Sequence, residues 1–282
     1  MKALLEVLRA GAGYLEKRGV DEARLNMEHL LAHVLECRRL DLYLRHGEML
    51  REPDLERLRD LSRKRGEGVP LQHLLGTVEF GGLELVTDPR ALVPRPETDF
   101  LCDWLVKRLR PPPPRVLDMA CGSGCIGLAL ARAWRAEGVS VTLADVSEDA
   151  LDLARLNASR LGFGDLKILR SDLFEKLEGP FDLVTANLPY IPSGEIAGLS
   201  REVRRDPLLA LDGGPDGLEV VRRFLTEAPP RLGEDGLVAL ELGAGQADTV
   251  AEEMRAAGWR AVETFADLAG VVRFILAKRP AA

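Results

Sequence analysis

Apolar positions along this chain follow two regimes. Up to about residue 75 they recur at helical spacing, with no strand-like alternation between them. Asp21 is placed to cap a run in which Leu25, Leu30, Val34 and Leu35 share roughly one face. Pro53 opens another run, carrying Leu55, Leu58 and Leu61. This pattern predicts a small helical domain over residues 1–75. Thr77-Val-Glu-Phe80 and Leu83-Glu-Leu-Val86 then flank Gly81-Gly82, which predicts a β-hairpin linker over residues 76–90. Pro96 starts a helix whose apolar face is Phe100, Leu101, Trp104, Leu105 and Leu109, and Pro111 to Pro114 form a stiff extended connector.

From Arg115 onward, strands and helices alternate. Val116–Met119, Val139–Leu143, Leu166–Leu169, Phe181–Thr185 and Leu237–Leu242 are short apolar runs, most of them followed by an amphipathic helical stretch. Continuous apolar strands separated by helices predict an α/β fold, a doubly wound parallel sheet of Rossmann-like type, over residues 91–282. A final run, Val271–Leu276, ends the chain as a strand with no helix after it. Ligands of such sheets lie at the carboxyl ends of the strands.

Composition narrows the class. With 282 residues there is room for two unequal cores. The net charge of −7 shows no broad basic surface for grasping phosphates, so direct nucleic-acid binding is not expected. Cys37, Cys102, Cys121 and Cys125 form no ladder of paired spacings and read as reduced thiols. Glu6 and Arg9 interrupt the start before a signal-peptide core forms, and no apolar run is long enough to span a bilayer. A cytoplasmic, monomeric protein away from membranes is expected. Side-chain amides are scarce: Asn26, Asn157, Asn187, Gln72 and Gln246 are all there are.

Gly122-Ser-Gly124-Cys-Ile-Gly127 follows the first strand of the sheet and satisfies the G-x-G-x-x-G pattern of nucleotide-binding loops. Asp118 precedes it at the strand end, where a carboxylate repels a pyrophosphate but suits the ammonium end of a methionine moiety. This favours S-adenosyl-L-methionine over a dinucleotide. Asp145, at the end of the second strand, is placed to accept hydrogen bonds from both ribose hydroxyls. Asp172, in Ser171-Asp172-Leu173 after the third strand, is placed to accept one from the adenine amino group. The expected cofactor contacts are Asp118, Ala120, Cys121, Gly122, Ser123, Gly124, Asp145, Asp172, Leu173 and Asn187. Cys121 and Cys125 lack the His or Cys neighbours of a metal site and read as small packing residues, so no metal is expected.

Asn187-Leu188-Pro189-Tyr190 follows the fourth strand of the sheet. An acidic strand end, a glycine loop, an Asp after the second strand and then Asn-x-Pro-Tyr together resemble the class I methyltransferases that act on exocyclic or amide nitrogens. Further runs narrow the resemblance: Pro70-Leu-Gln72-His-Leu-Leu-Gly76, Pro94-Arg-Pro-Glu97-Thr98, Asp206-Pro207, Ala210-Leu211-Asp-Gly213-Gly214-Pro-Asp216-Gly217-Leu218 and Glu241-Leu-Gly243. Over nearly the whole chain these are similar to the protein-glutamine N5-methyltransferases of the HemK/PrmC type. That resemblance implies methylation of the glutamine in the Gly-Gly-Gln motif of peptide chain release factors. The family pattern Asn-Pro-Pro-Tyr is altered here by Leu188.

An amide nitrogen is a poor nucleophile because its lone pair is delocalised into the carbonyl, so the enzyme's task is mainly positioning. The Asn187 side-chain oxygen and the Leu188 carbonyl are expected to accept the two N–H groups of the substrate. Pro189 holds Leu188 extended, and Tyr190 is expected to stack on the planar amide. Alternative substrates for the same logic are a glutamine of a ribosomal protein, or adenine N6 or guanine N2 in nucleic acid.

Overall fold

The computed structural model describes residues 2–281, which form two units. The first comprises the residues up to Thr77 together with Leu199–Arg205. The second comprises Val78–Gly198 and the residues from Asp206 onward. No helix among the described residues is long and apolar enough to cross a membrane.

In the first unit, helices α1 (Leu4–Lys17), α2 (Ala23–Val34), α3 (Glu52–Gly66) and α4 (Leu71–Leu75) pack around Leu4, Leu15, Met27, Leu30, Leu31 and Leu58. Helical spacing of leucines thus produces a small core. Two details differ from the pattern-based expectation. Asp21 does not cap α2: Glu22 occupies the N-cap in a left-handed conformation, and the Asn26 amide reaches back to the Asp21 carbonyl at 3.0 Å. Nor is the unit strand-free, because β1 (Lys2–Ala3) pairs with β2 (Met49–Leu50). Leu199–Arg205 is tied in by Glu202, 2.6 Å from the buried Arg65 guanidinium, which also bonds Asn26 at 2.7 Å.

From Val78 onward, the hairpin of β3 (Thr77–Phe80) and β4 (Leu83–Val86) groups with the second unit rather than standing apart as a linker. The reason is Asn157, 1% exposed. Its amide exchanges two hydrogen bonds with the Val86 backbone and donates a third to the Ser123 carbonyl at 3.0 Å. The hairpin is thereby stitched to the glycine loop.

The sheet of the second unit uses β5 (Arg115–Met119), β6 (Ser140–Asp145), β7 (Lys167–Arg170), β8 (Phe181–Asn187), β9 (Leu232–Glu241), β10 (Arg260–Ala266) and β11 (Val272–Lys278) in the order β10-β11-β9-β8-β5-β6-β7. Strand residues alternate between two apolar layers. Val116, Leu143, Leu183 and Phe274 meet α5 (Pro96–Arg108), α6 (Cys125–Ala133) and α7 (Glu148–Arg160). Leu117, Ala144, Val184 and Ile275 meet α8 (Glu219–Glu227) and α9 (Ala247–Ala256).

The sheet is mixed, not wholly parallel. β10 escaped the sequence reading because Arg260-Ala-Val-Glu-Thr-Phe-Ala has no clean alternation. It is an edge strand, and Trp104 stacks on its Phe265 at 4.0 Å. β11 follows it through a short turn and therefore runs antiparallel to both β10 and β9. The parallel part changes winding direction between β5 and β8, and the functional loops emerge at that switch point.

Candidate active site

Strand register brings the chemistry together. Parallel pairing sets Met119 of β5 beside Ala186 of β8, so the loop after β5 and the motif after β8 leave the sheet as neighbours. They share a cavity of about 310 Å³, mostly apolar in lining. Ala120, Cys121, Gly122, Ser123, Asp145, Asp172, Leu173, Asn187, Leu188 and Pro189 all contribute to its wall. Asp118, Gly124 and Tyr190 do not, although the sequence reading set them against cofactor or substrate.

Asp118 lies under the loop, fully buried, and accepts from the Gly127 N–H at 2.8 Å and the Thr185 hydroxyl at 3.2 Å. Burial pushes its carboxyl up to about 7 against the pull of those two donors, and nearby Asp145 adds to the rise. It anchors the turn from beneath. Gly124 begins α6 at φ +81°, where an added Cβ would stand 2.9 Å from Leu143, so a side chain there would force helix and sheet apart.

Asp145 does reach the cavity. Its oxygens accept from the Gly122 and Ser147 N–H groups, each at 2.9 Å, and burial raises its pKa against those backbone hydrogen bonds. The Gly122 and Gly127 N–H groups, which a pyrophosphate would use at a helix N-terminus, are thus both held by carboxylates of the protein itself. Around Gly122 an added Cβ would meet only Ala91, at 3.7 Å, so the bare backbone borders open space. Burial drives both the Cys121 and Cys125 thiols up, which keeps them protonated and inert. On the cavity rim, both oxygens of Asp172 lie 3.2 Å from Arg223, a partner that sequence reasoning missed.

Ala120 (φ 53°) and Leu173 (φ 42°), both in the cavity wall, hold left-handed conformations. For an L-residue other than glycine this costs roughly 1–2 kcal/mol, and such strain concentrates at functional sites. Ala120→Gly is expected to raise stability by about 0.5–1 kcal/mol after the added unfolded-state entropy of glycine is counted. The check is the urea midpoint of the full-length protein. A lowered midpoint would mean that the methyl contacts outweigh the backbone strain.

Asn187 ends β8, where the β8–β9 register pairs it with Glu241. Its Nδ2 donates to the Thr98 hydroxyl at 3.3 Å, and that hydroxyl donates to Glu241 Oε2 at 2.7 Å. Thr98, in the first turns of α5, and Glu241 are both 2% exposed. Leu188 is buried in the core layer beneath, so the residue that departs from the family pattern roots the motif in the sheet. Tyr190 packs toward Gly243 instead of lining the cavity. Burial, with nearby Glu241 adding to it, pushes its phenol up to about 12.

Other sequence runs find their partners here. Arg95 meets Asp206 at 2.7 Å, and Asp206 also accepts from the Val93 N–H, which joins two segments of cavity wall. Gln246 donates to the Tyr190 carbonyl at 2.8 Å and accepts from the Gly243 N–H at the same distance. The backbone of Ile191 exchanges hydrogen bonds with Leu211 and Gly213, so the 206–218 segment closes over the motif.

Residues 6–76 match the PrmC N-terminal domain, and residues 88–199 match the methyltransferase small domain. A methyltransferase from Pyrococcus furiosus shares the fold at a TM-score of 0.53 and 21% identity, covering 71% of this chain and 90% of its own. The release factor glutamine methyltransferase of Chlorobaculum tepidum is 39% identical over 88% of both chains. That of Deinococcus radiodurans is 43% identical over 98% of both. Identity at this level across both units goes beyond a shared fold: the chain belongs to the release factor glutamine methyltransferase family.

Proposed function

We propose that this enzyme transfers the methyl group of S-adenosyl-L-methionine to the side-chain amide nitrogen, N5, of the glutamine in the Gly-Gly-Gln motif of peptide chain release factors. One observation carries the reading: the glycine loop with Asp145 and the Asn187–Pro189 motif open into the same cavity. Asp145 would hold the ribose, the bare backbone at Gly122 would border the cofactor, and Asp172 would sit near the adenine end. The bound cofactor supplies a methyl already activated by a sulfonium. Loop N–H groups occupied by Asp118 and Asp145 argue against a pyrophosphate in this place. Family membership supports the release factor as substrate.

The protein's contribution is placement. Asn187 Oδ1 and the Leu188 carbonyl accept the two substrate N–H groups, which aligns the nitrogen and enriches it in electron density. When bound, the cofactor would supply the methyl group for the new nitrogen–carbon bond and depart as a thioether, keeping the sulfur–carbon bonding pair. The N-protonated amide so formed is a strong acid and would lose its surplus proton to solvent as the product leaves, so no strong base is required. The mostly apolar wall keeps bulk water from competing for these hydrogen bonds. A single amide offers too little surface to select one protein, so selection falls to the helical unit.

Incubation with methyl-labelled cofactor, a purified release factor, ribosomal proteins and RNA tests the reading. Label should accumulate on the Gly-Gly-Gln glutamine, as read by peptide mass spectrometry. Label on a ribosomal protein or on RNA in its place would overturn it.

A further inference from the structure

We infer that Thr98 and Glu241 are positioning residues that fix the polarity of the Asn187 amide, so that its oxygen and not its nitrogen faces the substrate. The inference rests on the proposed reaction, because only an acceptor at Asn187 suits an amide N–H. An asparagine side chain has two nearly isosteric ends, and the site must choose between them. An ionised carboxylate only accepts hydrogen bonds. At 2.7 Å from Glu241 Oε2, Thr98 therefore directs its single proton to Glu241. Its remaining capacity is as an acceptor, and the Asn187 group 3.3 Å away must present Nδ2. Oδ1 is then left for the cavity, whose wall both Asn187 and Thr98 help to form.

Proton occupancy of Glu241 decides the direction of the whole chain. Once protonated, Glu241 donates to Thr98, whose own proton is freed to turn toward Asn187, and the preference for Oδ1 outward is lost. Burial pushes the Glu241 carboxyl up to about 7; the Thr98 hydroxyl, Arg273 and Asn187 pull it down and Glu97 pushes it up. The groups around it come from every neighbouring element. Arg273 on β11 is itself 2.7 Å from Asp267, Glu97 and the Cys102 thiol belong to α5, the Cys125 thiol to α6, and the Tyr190 phenol follows β8. The ionised, correctly directing form exists above a pH of about 7 and is lost as the pH falls through it.

The chain contains only three asparagines, Asn26, Asn157 and Asn187, which permits a direct readout. In full-length protein labelled with 15N at the asparagine side chains, the NH₂ pair missing from Asn187→Asp identifies Asn187. That pair should shift as the pH crosses about 7 in the unaltered enzyme and stay still in Glu241→Gln. With a release factor as substrate, kcat should fall by about tenfold per pH unit on the acid side, and Glu241→Gln should flatten that limb. Thr98→Val should lower kcat by roughly tenfold or more with KM little changed, and Thr98→Ser should restore it. A non-titrating Asn187 pair, or an acid limb that survives in Glu241→Gln, overturns the inference. If the Asn187 pair titrates as expected while no methyl reaches the release factor at any pH, the relay stands and the assigned reaction fails.

Discussion

Asn187→Ala is expected to lower single-turnover methyl transfer by roughly 10²–10³-fold, about 2.7–4 kcal/mol, the range seen when one preorganised hydrogen-bonding group is removed from a reacting centre. Cofactor affinity should change by no more than about twofold. The split follows from position. Asn187 sits at the end of β8 with Nδ2 engaged by Thr98, and it makes no hydrogen bond to the glycine loop or Asp145. Its loss should therefore reach the substrate nitrogen and spare the nucleoside end of the cavity. Calorimetry with S-adenosylhomocysteine and rapid-quench kinetics measure the two halves. A rate within about tenfold of the unaltered enzyme would show that substrate alignment comes from elsewhere.

Asp145→Ala should give the opposite split, weakening cofactor binding by roughly 2–4 kcal/mol, about thirty- to a thousandfold. Two losses combine. The proposed acceptor for the ribose hydroxyls disappears, and the Gly122 and Ser147 N–H groups that Asp145 holds at 2.9 Å lose their partner. Asp145→Asn keeps one oxygen and should recover part of the affinity, since it can still restrain Gly122. Saturating cofactor should return most of the turnover to either variant, because the proposed role of Asp145 is in binding rather than at the amide. Unchanged affinity by calorimetry would place the ribose elsewhere.

Much of this protein is legible along the chain because the relevant physics is local. Helical leucine spacing, the Gly81-Gly82 turn and the apolar runs from Val116 onward each specify their element within a few residues. The glycine loop, Asp145 and Asn187-Leu188-Pro189-Tyr190 are contiguous or at strand ends, and their order resembles that of class I methyltransferases, a resemblance that implied the reaction class. β10 was hidden because an edge strand needs no strict alternation. Asp118 reads as a ligand contact in sequence but is an anchor in space, since only the packing of α6 on β5 shows that Gly127 covers it.

The sequence by itself determined a helical region followed by alternating strands and helices, and it put Asn187-Leu188-Pro189-Tyr190 at the end of a strand. Tertiary structure alone decided which residues hold the Asn187 side chain. Thr98, Asn187 and Glu241 lie on α5, β8 and β9, far apart in the chain, and they meet because the β8–β9 register pairs Asn187 with Glu241 while α5 crosses above. Arg95 with Asp206 and Gln246 with Tyr190 arise in the same way. Propensity and periodicity act over a few bonds, whereas hydrogen-bond polarity at a buried site depends on which distant donors the fold packs within 3 Å or so of one another.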